Sequence, residues 1–162
     1  MLIENLDEKV SLIDIIQTEL VPYVKKIDQE AHYAKNYLMK LGEEGYFSSG
    51  NMPKENVIQK RIILIEETAK VCMTTAFCLW CQFAAITYIE NSDNEKLRQK
   101  FLPKLTVGEL LAGTGLSNPL KSFSNIEKLH LKAEKVPNGF IVNGAVPSLS
   151  NICVDHAFAL MA

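Results

Sequence analysis

The run VCMTTAFCLWCQFAAITYI, Val71 to Ile89, carries no charged side chain and has about the length that crosses a bilayer. A membrane span and the central helix of a bundle both fit that description. Thr74, Thr75, Gln82 and Thr87 interrupt the run, and no basic flank marks a cytoplasmic side. Amphipathic segments elsewhere in the chain also need an apolar surface to pack on. The sequence therefore predicts no membrane span but a buried central helix, with Trp80, Phe77, Phe83 and Tyr88 as core filling. The fold class that follows is mainly α, an up-and-down helical bundle.

Working upstream, Leu6, Val10, Ile13, Ile16, Leu20 and Val24 recur at steps of three and four, which predicts a helix from Leu6 to Ile27 that Pro22 kinks or divides. A second helix is expected over Ala31 to Glu44, with Ala34, Tyr37, Leu38 and Leu41 inward, before the turn Ser48-Ser49-Gly50-Asn51. Pro53 suits the first turn of a third helix. Val57, Ile58, Ile62, Ile65 and Ala69 form its expected inward stripe, and it ends near Lys70.

Downstream, Asn91-Ser92-Asp93-Asn94 caps a short charged helix, Glu95 to Phe101, closed by Pro103. From Leu111 the pattern changes. Leu129-His130-Leu131-Lys132-Ala133 alternates, Pro137-Asn138-Gly139 is a turn, and Phe140-Ile141-Val142 returns as the second strand of a hairpin. His156 to Met161 reads as a further strand. The expected organisation is a helical domain over 1–109 and, over 110–162, the beginning of a β-sheet domain. A lone hairpin plus one strand rarely stands alone, so that sheet is expected to be incomplete, and the uncovered faces imply a homo-oligomer.

The chain has 162 residues, 48% hydrophobic and 22% charged, enough for a real core and incompatible with a disordered tail. Seventeen basic residues against nineteen acidic ones give a net charge of -2 without any basic run. No nucleic acid or anionic lipid partner is expected. Cys72, Cys78, Cys81 and Cys153 lie in apolar stretches, and Met1-Leu2-Ile3-Glu4-Asn5 lacks the regions of a secretory signal, which points to the cytoplasm.

Cys78-x-x-Cys81 sits mid-helix without a second pair, and His32, His130 and His156 are scattered, so no metal site is expected. Asp155 and His156 are strand neighbours, which point to opposite faces and do not form a relay. No glycine-rich phosphate loop is present.

Gln99-Lys100-Phe101-Leu102-Pro103-Lys104-Leu105-Thr106-Val107-Gly108-Glu109 resembles the acyl-CoA dehydrogenase pattern in which a helix leads through a Gly-Glu turn into the middle β-domain. Gly115-Leu116-Ser117-Asn118-Pro119 is similar to the family's Leu-Thr-Glu-Pro stretch. Asn138-Gly139-Phe140-Ile141-Val142-Asn143-Gly144 resembles its hairpin, Ser150-Asn151 its Thr-Asn, and Leu41-Gly42-Glu43-Glu44-Gly45-Tyr46-Phe47 the end of an early helix. The resemblance covers essentially the whole chain, in order. It implies a bundle of the family's N-terminal type and an oxidoreductase that uses FAD, with an acyl-CoA or other small organic molecule as substrate.

The same resemblance implies that Thr114, Leu116 and Ser117 line the flavin ring edge. A donor there stabilises negative charge on the reduced ring. Ser148 and Ser150 align with the family's tryptophan over the ring and the threonine beside it. Ser122 and Phe123 align with residues approaching the pyrophosphate and substrate, where Phe123 crowds a backbone that normally comes close to its ligand, and Asn118 replaces a glutamate. In the family the base glutamate lies in a C-terminal helical domain, so no catalytic residue is assigned. These departures leave two further readings open, a monooxygenase of the same fold and a non-catalytic helical interaction module; the third alternative is the outweighed membrane protein built on Val71 to Ile89.

Overall fold

The computed structural model describes residues 6–162. The first helical arm starts as α1 (Leu6–Ile15), widens into a π-turn over Ile16–Leu20, tightens into a 3-10 turn over Val21–Tyr23 and continues as α2 (Val24–Glu30). The break falls where sequence places it, because Pro22 supplies no N–H. The change of winding also selects the inward face. Leu12, Ile15, Ile16 and Leu20 are buried, whereas Ile13, expected inside, is 41% exposed. The side chains of Leu6 and Val10 lie outside the described part.

Ala31 takes a left-handed backbone, φ 53°, and ends α2. The next helix, α3 (Lys35–Glu43), therefore starts later than Ala31 and buries Tyr37, Leu38, Leu41 and Gly42. Tyr37 Oη lies 2.7 Å from Thr68 Oγ1, which itself donates to Leu64 O at 2.7 Å, so the phenol is the donor. Burial, only partly offset by that bond, pushes the Tyr37 phenol up to about 12.

After Pro53, α4 (Lys54–Ala69) presents a different face from the one its aliphatic residues suggest. Val57, Leu64 and Thr68 are buried, while Ile58 and Ile62 are each 56% exposed. The stripe 57, 61, 64, 68 has the same helical period as 58, 62, 65, 69, offset by one position. It turns inward because its polar members find partners. Thr68 bonds to Tyr37 and Leu64, and Arg61 donates to Thr87 Oγ1 at 2.8 Å, pairs with Glu90 at 3.1 Å and lies over the Phe83 ring.

The decisive run forms α5 (Met73–Glu90), packed against α4 and against α6 (Glu95–Thr106). No helix of the described residues is long and apolar enough to cross a membrane. Leu79, Cys81, Gln82, Phe83, Ala85 and Ile86 are buried, but Trp80, Phe77 and Tyr88 are not core filling: they are 39%, 51% and 40% exposed. Trp80 stacks on Phe77 with ring centroids 5.6 Å apart and, with Tyr88, lines an open groove against Ile58, Ile62 and Ile65 of α4.

Gln82 is fully buried and completely bonded. Its Nε2 donates to Leu105 O at 3.0 Å and Leu110 O at 3.1 Å, and its Oε1 accepts from Ala112 N at 2.7 Å. Asn94 caps α6 by accepting from Leu97 N. The helix does not stop at Pro103 but runs one turn further, because Leu105, 2% exposed, holds that turn in the core. Gly42 and Gly108 let α3 and the turn after α6 meet backbone to backbone: a Cβ on Gly42 would lie 2.4 Å from Gly108 N.

The chain then enters β1 (Ala112–Thr114), α7 (Ser117–Phe123), β2 (Leu131–Val136), β3 (Gly139–Gly144) and β4 (Ala157–Ala159). β1 pairs in parallel with β4, Ala112 opposite Ala157, and β2 pairs antiparallel with β3 as the expected hairpin. Every β3 residue is exposed.

Two stability tests follow. Gln82→Leu strands the buried Ala112 N–H and takes a donor from the Leu105 and Leu110 carbonyls, so chemical denaturation should show a loss of about 1–3 kcal/mol. Leu79→Ala should cost about 2–5 kcal/mol, and Trp80→Ala less than half of whatever Leu79→Ala costs; equal losses would show that Trp80 is core.

Candidate functional site

The residues expected at a flavin edge gather around the C-terminal end of β1. Thr114 is 2% exposed and exchanges backbone hydrogen bonds with Ser150: Thr114 N donates to Ser150 O at 3.2 Å and Ser150 N to Thr114 O at 3.0 Å. Thr114 Oγ1 donates to Ala159 O at 3.4 Å, a protein partner. Burial, reinforced by the nearby Cys78, pushes Cys81 up to about 12 even with Ser150 close by, so it stays a neutral thiol.

Leu116 is half-buried and precedes α7, and Ser117 is exposed at the first residue of that helix. Ser148 is exposed in the loop before Ser150. Ser122 and Phe123 lie at the far end of α7. The Phe123 ring is 90% exposed and projects from the helix end, where it crowds no backbone. Thus the structure joins Thr114 with Ser150, has Leu116 and Ser117 follow Thr114 closely in the chain, and sets Ser122 and Phe123 at the far end of α7.

Asn118 was read only as a departure from a glutamate, and its structural use was missed. It is 4% exposed. Its Nδ2 donates to Glu127 Oε1 at 2.8 Å and Lys128 O at 2.9 Å, while its Oδ1 accepts from His130 N at 2.9 Å. These bonds fold residues 127–130 back onto α7. The signal available in sequence was an Asn-Pro step, a common turn opener. The Asn118 amide, aided by Lys121 at 3.6 Å, holds the Glu127 carboxyl below the usual carboxylate range.

The family resemblance implies FAD, and of the residues it assigns to the ring edge Ser117 is exposed and Leu116 half-buried. The Ser117 hydroxyl and the Leu116 side chain form an accessible edge beside β1. Directly beside Ser117, Asn118 is saturated by its own hydrogen bonds and its partner Glu127 is an anion, an unsuitable surface for a pyrophosphate.

Elsewhere, Asp155 is exposed while His156 Nδ1 lies 2.8 Å from Asn151 O, so the two form no relay. Cys78 and Cys81 are free thiols, both raised by burial, and among the described residues no three metal-binding side chains converge.

The fold is thus a helical bundle that delivers its chain through the Gly108-Glu109 turn into short β-strands. The sequence profile described as acyl-CoA dehydrogenase, N-terminal domain, matches residues 9–109, and the chain belongs to the acyl-CoA dehydrogenase family. It is 28% identical over 141 residues to the mitochondrial isovaleryl-CoA dehydrogenase of Bos taurus, covering 80% of this chain and 32% of that protein. Among solved structures it resembles one described as the electron transferring flavoprotein of Acidaminococcus fermentans, with TM-score 0.68, 21% identity, and 89% of this chain aligned to 40% of that one. It also resembles an FAD complex of PigA, with TM-score 0.61, 19% identity, and 86% of this chain aligned to 39% of that one. The chain spans about a third of the length of the curated relatives it matches.

Because Glu127 titrates below an ordinary carboxyl, its contribution to stability is present above the ordinary carboxylate range and is lost as pH falls through its depressed folded value. Asn118→Ala removes the largest cause. An NMR titration should then show the Glu127 carboxyl moving up toward its ordinary value; an unmoved midpoint would remove Asn118 as the cause.

Proposed function

We propose that this chain forms the helical N-terminal part, and one wall of the flavin site, of an FAD-dependent acyl-CoA dehydrogenase-like oxidoreductase. The observation that carries this is the direct succession of the family-matched bundle, residues 9–109, and the Leu116-Ser117 edge at the end of β1. The division into a helical domain over 1–109 and the start of a β-domain over 110–162 is supported by the end of that match at Glu109.

When bound, FAD supplies the acceptor for hydride leaving the β-carbon of an acyl thioester. The role of this chain is to bind and orient. Ser117 offers a hydroxyl to the ring edge, Leu116 an apolar contact, and the Thr114–Ser150 pair a rigid backbone behind them. Ser148 leaves the ring face open. Ser122 and Phe123 are the residues of this chain nearest in family position to the acyl-CoA substrate. The four free cysteines support a cytoplasmic setting, and exposed Ile58, Ile62, Phe77 and Trp80 support a homo-oligomer.

A large ligand binds well only when most of its surface is buried. Titrating FAD into the isolated chain and following flavin fluorescence should therefore show weak binding or none, and saturable submicromolar binding would overturn that expectation. In a flavin-loaded enzyme carrying this sequence, Ser117→Ala should weaken flavin binding or make the flavin harder to reduce. If neither changes, Ser117 is not at the ring.

A further inference from the structure

Residues 145–156 contain no helix or strand, yet they carry Ser148 and Ser150. Among the described residues, the hydrogen bonds tying this segment to the rest of the chain run through two neighbours. Ser150 makes the backbone exchange with Thr114. Asn151 makes the others. Its Oδ1 accepts from Tyr33 Oη at 2.7 Å and its Nδ2 donates to Ala112 O at 2.9 Å. Its own carbonyl lies 2.8 Å from His156 Nδ1, and the Tyr33 and His156 rings pack with centroids 5.3 Å apart.

The chemistry fixes this arrangement in one sense. Burial drives the Tyr33 phenol far above its ordinary range, so it remains a neutral donor. A phenol donor requires the amide oxygen opposite it, and the Ala112 carbonyl requires the amide N–H₂. Turning the amide over would set oxygen against oxygen at Ala112. Asn151 also holds a left-handed backbone, φ 59°, which asparagine tolerates better than most residues. The same side chain therefore touches the loop between α2 and α3, through Tyr33, and the first residue of β1.

We infer that Asn151 is a positioning residue: its amide, clamped between Tyr33 and Ala112, registers the Thr114–Ser150 pair, and with it the flavin edge, against the helical body. The flavin part of this inference rests on the function proposed above; the clamp itself does not.

Asn151→Gly deletes the amide while keeping the backbone free to stay left-handed, and Tyr33→Phe deletes one hydrogen bond while keeping the ring against His156. Amide hydrogen exchange in the chain gives the readout. In both variants the Thr114 and Ser150 amides should lose protection by about tenfold more than Leu79 and Ile86 of α5. In a double-mutant cycle, adding Tyr33→Phe to Asn151→Gly should cost the Ser150 amide nothing further. Equal loss across all four amides, or none at Ser150, overturns the clamp. Where Asn151→Gly does not fold, Tyr33→Phe alone decides by the same comparison. The Ser117→Ala flavin measurement is independent of these amides, so an unchanged flavin with the expected exchange pattern retires the flavin reading and keeps the clamp.

Discussion

The Gln82 amide is the constraint around which the chain is arranged. A fully buried amide without partners would cost several hydrogen bonds' worth of desolvation, and here every partner is a backbone group outside α5. Leu105 O belongs to the last turn of α6, Leu110 O to the connection after it, and Ala112 N to β1. One side chain thus sets where the helix ends, how the connection bends and where the strand begins. That explains why α6 runs past Pro103: the Leu105 carbonyl has to arrive at Gln82, and the buried Leu105 side chain brings it there. The Gly42–Gly108 contact works in the same region, since only two backbones without Cβ atoms fit where α3 passes under the turn.

Much of the helical architecture was legible because it rests on local chemistry. Pro22 marks a change of helical winding, Pro53 opens α4, Asn94 caps α6, and Asn138-Gly139 turns the hairpin. The face of each helix was less legible, because hydrophobicity alone does not choose between stripes of equal period. In α4 the aliphatic stripe lost to one containing Arg61 and Thr68, whose burial depends on Glu90, Thr87 and Tyr37, residues distant in sequence. In the first arm a π-turn shifted the register and turned Ile13 outward. Neither cause has a local signature.

The family's motif order lists Thr114, Leu116, Ser117 and Ser150 together, and the structure joins two of them through the Thr114–Ser150 bridge. Nothing in a single sequence tells whether a hydroxyl faces a ligand or its own backbone. Thr114 Oγ1 bonds to Ala159 O, whereas Ser117 carries an exposed hydroxyl at that end of β1. Asn118 shows the same gap: its three bonds close a loop that only becomes a loop once residues 127–130 return to α7.

The uncharged run that decides the fold also shows how far lack of charge can be taken. A helix without charges is usually enclosed on all sides, yet α5 is enclosed on one. Its inner side carries Leu79, Gln82, Phe83 and Ile86 against α4, α6 and β1, while Met73, Phe77, Trp80 and Tyr88 are open, Met73 to 72%. The polar residues inside the run belong mostly to the enclosed side, where Thr75, Gln82 and Thr87 each have a hydrogen-bond partner. The apparent interruptions of a membrane span are therefore the fixings of a bundle helix, and of its large apolar side chains Phe83 is buried while Met73, Phe77, Trp80 and Tyr88 are left exposed.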